Sequence, residues 1–116
     1  MPSNDLVSGE IIFTGDRHVF RNATVYIRLE EVGPADARSR IVAEQVLRDV
    51  TYEQGRPLFF ELRATVPSGV SHRVRVHIDI DGDGQISPGD YISTESHPVM
   101  KLPNVPAKLQ VHVHQV

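Results

Sequence analysis

Apolar and polar residues alternate along most of this chain. From Arg73 to Ile80, the residues Val74, Val76, Ile78 and Ile80 hold one parity, and Arg73, Arg75, His77 and Asp79 hold the other. Successive side chains of a β-strand point to opposite faces, so a period of two predicts a half-buried strand. The same reading applies near the end of the chain, with Leu109, Val111 and Val113 set against Lys108, Gln110, His112 and His114. It applies to Leu58, Phe60, Leu62 and Ala64 against Phe59, Glu61 and Arg63, and to Val25, Ile27 and Leu29 against Tyr26, Arg28 and Glu30. Val7, Gly9, Ile11 and Phe13 make a first strand. Between Arg40 and Val50 the pattern is double: Ile41, Val42, Val46, Leu47 and Val50 also fit one helical face. The β-branched content and the neighbouring strands assign it to a strand. A short strand over Tyr91–Thr94 makes a seventh.

Breakers separate these runs: Gly15-Asp16, Gly33-Pro34, Gln54-Gly55-Arg56-Pro57, Pro67-Ser68-Gly69, and the stretch from Pro103 to Pro106. Short strands at such spacing predict an all-β fold, a single-domain antiparallel β-sandwich of about seven strands with transthyretin- or immunoglobulin-like architecture. The domain is expected over residues 7–116, after a flexible N-terminus of residues 1–6.

One loop breaks the alternation with chemistry of its own. Asp79-Ile80-Asp81-Gly82-Asp83-Gly84-Gln85-Ile86-Ser87-Pro88-Gly89-Asp90 lays onto the twelve-position calcium loop, with Asp at positions 1, 3, 5 and 12 and Gly at position 6. Gln85 at position 7 offers its backbone carbonyl, and Ser87 at position 9 acts directly or through water. Ile86 at position 8 is expected to anchor the loop to the core. Calcium takes six to eight oxygen ligands, and carboxylates at alternate positions of a curling backbone converge on one point. The expected metal ligands are therefore Asp79, Asp81, Asp83, Gln85 and Asp90, around a structural calcium ion. Asp at position 12, where Glu is usual, shortens the reach. The expected affinity is then on the order of 10⁻⁵ to 10⁻³ M. The bland alternative is a polar hairpin turn, since Asp-Gly pairs favour turns. Such a turn needs two of these residues and leaves Asp79, Ile86 and Asp90 in register without a reason.

Composition narrows the rest. The chain has 116 residues, the size of one domain. It has no Cys, which excludes disulfides, thiolate metal sites and thiol catalysis. No apolar run reaches the length of a membrane-spanning helix, and Met1–Asp5 shows neither the basic nor the apolar region of a signal peptide. The net charge is −3 and the pI is about 6.0. Both argue against nucleic acid as a partner. Arg28, Arg48, Arg63, Arg73 and Arg75 read as outward-facing residues that solvate strands and guard their edges. No Gly-x-Ser-x-Gly elbow and no Gly-rich phosphate cradle occur. Glu30 and Glu31 alternate across a strand, so the two cannot face one substrate. His112 and His114 share a face, and His77 is the one outward candidate for a third zinc ligand. That trio is the basis of the enzymatic alternative, a metal-assisted hydrolase. Carbohydrate binding at the acidic loop is a weaker alternative, because aromatics are 6% and Trp is absent. Asn22-Ala23-Thr24 matches a glycosylation acceptor but falls on a strand, and is read as chance.

Several stretches, in order, carry a family resemblance: Val7-Ser-Gly-Glu-Ile-Ile-Phe13, Val25-Tyr-Ile-Arg-Leu-Glu-Glu-Val32, Ala35-Asp-Ala37 followed by Ile41-Val-Ala-Glu-Gln45, and Pro57-Leu-Phe-Phe-Glu-Leu62. Over roughly residues 7 to 100 the chain resembles the YbaY-like lipoproteins, grouped with the YscW-type pilotins of type III secretion. The resemblance implies an all-β sandwich, no catalytic residues, and a non-enzymatic accessory role at the bacterial envelope through a protein partner. It also implies a periplasmic or envelope location. The missing signal peptide keeps a cytoplasmic location open. Members carry a lipid-bearing Cys, which this chain lacks, and many have a shorter, less acidic turn where Asp79–Asp90 stands here.

Overall fold

The computed structural model describes residues 5–15, 18–32, 40–53, 56–64, 71–94, 97–99 and 107–116. Residues 1–4, most of the breaker positions (Asp16, Gly33-Pro34, Gln54-Gly55, Pro67–Gly69, Pro103–Pro106) and the Ala35–Ala37 stretch lie outside them. The described residues form seven strands and no helix: β1 (Asp5–Phe13), β2 (Phe20–Glu31), β3 (Arg40–Tyr52), β4 (Phe59–Ala64), β5 (His72–Asp79), β6 (Tyr91–Ile92) and β7 (Ala107–Gln115). The ambiguous Arg40–Val50 segment is thus a strand and extends to Tyr52. Val42, Ala43, Leu47 and Val50 pack against the core, so one face of β3 is held by β-pairing with β2 and partial burial.

The strands are ordered β3-β2-β5-β6-β7-β1-β4. Five of the six pairings are antiparallel. The exception is β1 with β7, which run parallel from Val7↔Ala107 to Phe13↔Val113. An all-antiparallel sandwich was the expectation, and this pair corrects it. Strand β7 leaves β1 at Val113 and continues against β6, with His114 opposite Ile92 and Gln115 opposite Tyr91. One strand therefore closes the sheet between β6 and β1. At the far ends of the order, β3 and β4 come side by side, where the Glu61 amide donates to Gln45 Oε1 at 2.9 Å. The sheet curls almost into a barrel.

The core fills the inside. Ala23, Val25, Ile27 and Leu29 of β2 face Val74, Val76 and Ile78 of β5, and Val7, Ile11, Phe60, Leu62, Val111 and Val113 close the other side. Each fully buried aliphatic side chain contributes roughly 1.5–3 kcal/mol. Phe13, Phe20, Tyr52 and Tyr91 gather at one end, with the Phe13 and Tyr52 rings stacked at 4.0 Å and Tyr91 edge-on to Phe13 at 5.2 Å. The Tyr91 hydroxyl donates to His18 Nδ1 at 2.9 Å, and His18 Nε2 donates to the Thr14 carbonyl at 2.6 Å. Burial first pushes the hydroxyls of Tyr52 and Tyr91 above their usual pKa, helped at Tyr52 by the charge of Glu10 and at Tyr91 by the neighbouring Tyr52.

Several boundaries move. β1 begins at Asp5, and Leu6 pairs with Arg63, so the strand enters the segment expected to be a flexible N-terminus. β6 stops at Ile92, because the Ser93 amide turns to donate to the Val76 carbonyl and the Ser93 hydroxyl accepts from the Val76 amide. Asn22 and Asp49 have φ of 57° and 55°, where the β2–β3 register slips by one residue. These are bulges, and Asn and Asp tolerate that backbone better than other non-Gly residues.

Candidate functional site

The acidic loop leaves β5 at Asp79 and returns at Asp90, the residue before β6. Its path follows from residue types. Gly82 and Gly84 have φ of 76° and 77°, a left-handed backbone that only Gly adopts freely. Ser87-Pro88-Gly89-Asp90 then closes a turn, with the Asp90 amide donating to the Ser87 carbonyl at 3.0 Å. Pro88 and Gly89 (φ 99°) fit the second and third places of a type II turn. Backbone bonds between Gly89, Asp90 and Val116 tie the returning arm to the end of β7.

The four aspartates do different work. Asp79 is 1% exposed. Its Oδ1 accepts from the Gly82 amide at 3.0 Å and its Oδ2 from the Gly84 amide at 2.8 Å, so the first position of the loop gathers the backbone of the fourth and sixth. Asp90 is fully buried. Its Oδ1 accepts from the Ile80 amide at 2.9 Å, and its Oδ2 from the Ser87 amide at 3.3 Å. His77 Nε2 lies 2.9 Å from the same Oδ2 and donates to it. A buried carboxylate is costly without such partners, and here the loop's two ends are pinned through it. Asp81 and Asp83 are exposed at the crest. Asp81 Oδ2 accepts from the Ser87 hydroxyl at 2.7 Å, and this bond, first among the causes, brings the Asp81 carboxyl down to about 2. Asp83 Oδ1 accepts from the Gln85 amide at 2.9 Å.

Asp79, Asp81, Asp83 and Asp90 each offer a carboxylate oxygen, and those oxygens lie within 4.8 Å of one another. His77, Asp79 and Asp90 form a second such group. The arrangement can therefore present several hard oxygen donors, or two carboxylates and an imidazole, to one cation. Gln85 is exposed beside this group. Ile86 does not anchor the loop: it is 58% exposed, because the loop is already held by Asp79 and Asp90 and turns Ile86 over the sheet face.

The histidine trio does not assemble. Among the described residues, neither His112 nor His114 joins a group of donors within reach of one ion. The His112 amide donates to His97 Nε2 at 3.1 Å, whereas His77 is buried against Asp90, with its ring stacked on Tyr26 at 5.7 Å. The expectation that His77 and Asp79 face outward is corrected in the same way: the loop and β6 cover that part of β5. Alternation alone could not have shown this covering, and His77 as the partner of Asp90 was missed for that reason. The arginines are drawn into pairs, Arg28 with Glu44, Arg63 with Glu61, and Arg73 and Arg75 with Glu30, while Arg48 is exposed. Of the seven Phe and Tyr residues, Phe59 (62% exposed) and the half-buried Tyr26 are the ones outside the core.

No family model matches the chain, and no curated protein sequence matches it. A solved structure does: an alternative pilotin from the type II secretion system of Vibrio cholerae, 20% identical, aligned over 97% of each chain with a TM-score of 0.73. The fold of this chain is therefore similar, end to end, to that of a pilotin.

Proposed function

We propose that this chain is a non-enzymatic accessory protein of the bacterial envelope that acts by binding another protein, in the manner the YbaY-like and YscW-type resemblance implies. The observation that carries the reading is the fold match to a pilotin over 97% of each chain. A fold alone does not assign a function, so the reading needs a direct test. Photo-crosslinking from surface positions in envelope preparations should yield a discrete protein adduct. Adducts no different from those of an unrelated β-sandwich would refute it.

The loop at 79–90 is, in the same proposal, a structural calcium site. Asp79, Asp81, Asp83 and Asp90 would supply carboxylates, and Gln85 its backbone carbonyl. The convergence of four carboxylate oxygens supports this, as does the left-handed Gly84 at the position where a calcium loop turns. The carboxylates repel one another, and a divalent ion relieves that repulsion. Calorimetry with calcium should show binding in the range of about 10⁻⁵ to 10⁻³ M, abolished by a double Asp81→Ala, Asp83→Ala substitution. These two residues are exposed, so the variant keeps the Asp79 and Asp90 bonds that hold the loop. Equal heats from both proteins would rule the site out.

A further inference from the structure

A groove of about 380 Å³ runs over the outer face of β2, β5 and β6, walled on one side by Gly84 and Ile86 of the acidic loop. Its two ends differ in chemistry. At one end Tyr26 and His77, opposite each other across the β2–β5 ladder, stack their rings, and Ile92 and the exposed Ile86 complete an apolar lining. Towards the other end, where Glu30 shares the lining, Arg75 stands directly opposite Arg28, whose guanidinium lies over the Tyr26 ring at 5.1 Å. Like charges in that relation destabilise a sheet unless anions intervene. Glu44 bonds Arg28 at 2.6 Å. Glu30 is bonded to Arg73 at 3.0 Å and stands 3.9 Å from Arg75. Among the described residues Arg75, with 53% of its side chain exposed, thus has no carboxylate nearer than the 3.9 Å of Glu30. Asp81 and Asp83 are not part of the lining.

We propose that this groove docks an acidic peptide segment of a protein partner, an apolar side chain entering between Tyr26, Ile86 and Ile92 and a neighbouring carboxylate meeting Arg75. The inference rests on the protein-binding reading and names where and by what chemistry the partner is held. The probe is a fluorescein-labelled acetyl-Glu-Leu-Asp-Phe-Glu-Leu amide, followed by anisotropy, beside the same peptide with Lys at every acidic position and an oligothymidylate of matching charge. The acidic peptide should bind and weaken with added salt, and Arg75→Glu should weaken it about tenfold, the order expected for reversing a rim charge. Amide shifts in NMR should centre on Tyr26, Arg75 and Ile92. Arg75→Gln, with thermal melting as the folding control, should lie between the two. Equal binding of the Lys peptide or of the oligothymidylate, or an unchanged affinity in Arg75→Glu, would overturn the proposal. An envelope adduct elsewhere on the surface, with no peptide uptake, would overturn the groove and leave the accessory reading standing. Peptide uptake without any envelope adduct would do the reverse.

Discussion

Gly9 shows how much one residue can be constrained. It lies in the middle of β1, opposite Phe60 on one side and Leu109 on the other. A Cβ there would overlap the Leu109 carbonyl oxygen and crowd the Phe60 ring. Gly9→Ala should therefore destabilise the fold by roughly 1–3 kcal/mol, the cost of overfilling a packed site, read as a lower urea midpoint with an unchanged slope. Tyr52 tests a different force. Its hydroxyl pKa is raised above the ordinary tyrosine value of 10.0, first by burial and then by the charge of Glu10. The unfolded chain thus releases this proton at a lower pH than the folded one. The stability tied to it is fully present below about pH 10 and declines as pH rises through the folded-state value. Urea titrations of the wild type and Tyr52→Phe from about pH 8 to 11 should show a shallower alkaline decline in the variant. Parallel curves would mean that Tyr52 carries none of that dependence.

At the scale of the element, β2 and β3 are long, twelve and thirteen residues, and pair by absorbing bulges. Asp49 sits at one of them with φ of 55°. Asp49→Gly should be neutral or mildly stabilising. Asp49→Val should cost about 1–2 kcal/mol, since a β-branched residue is penalised in the left-handed region. Comparing the two melting curves isolates backbone strain from the loss of the carboxylate, which both variants share. Strand propensity was readable along β3, whose Val and Ile content decided between strand and helix. The bulges were not, because they arise from how two strands twist on each other. Asn22, met in the sequence as part of a glycosylation pattern, turns out to hold a bulge.

For the whole molecule, the acidic loop ties three neighbouring strands together: it leaves β5, returns into β6, and its returning arm is bonded to Val116 at the end of β7. A cation held there would bind the folded chain and not the unfolded one. With a dissociation constant near 10⁻⁴ M, calcium at about 10 mM should add roughly 2.7 kcal/mol by mass action, or close to 10 °C in melting temperature. Magnesium should do less, because it gives up its waters reluctantly. An identical melt with calcium and with a chelator would remove the ion from the account. The parallel pairing of β1 with β7 joins the two most distant strands in sequence, so the topology predicts slow folding dominated by non-local contacts.

The alternation of Val, Ile and Leu with charged residues was enough to mark five strands with their inner faces and an all-β class, because strand periodicity is a local property of the backbone; β-branched content added β3. The spacing of Asp79, Asp81, Asp83 and Asp90 likewise marked the loop as a cluster of carboxylates, whose oxygens lie within 4.8 Å of one another. Only the tertiary structure decided that β1 and β7 run parallel, that β3 meets β4, and that Asp90 is buried against His77. It also decided that Ile86 faces a groove instead of the core, that His77 and His112 point to different neighbours, and that Arg28 and Arg75 stand opposite each other. Each of these depends on which strands become neighbours, and that is set by the shared burial of residues far apart along the chain.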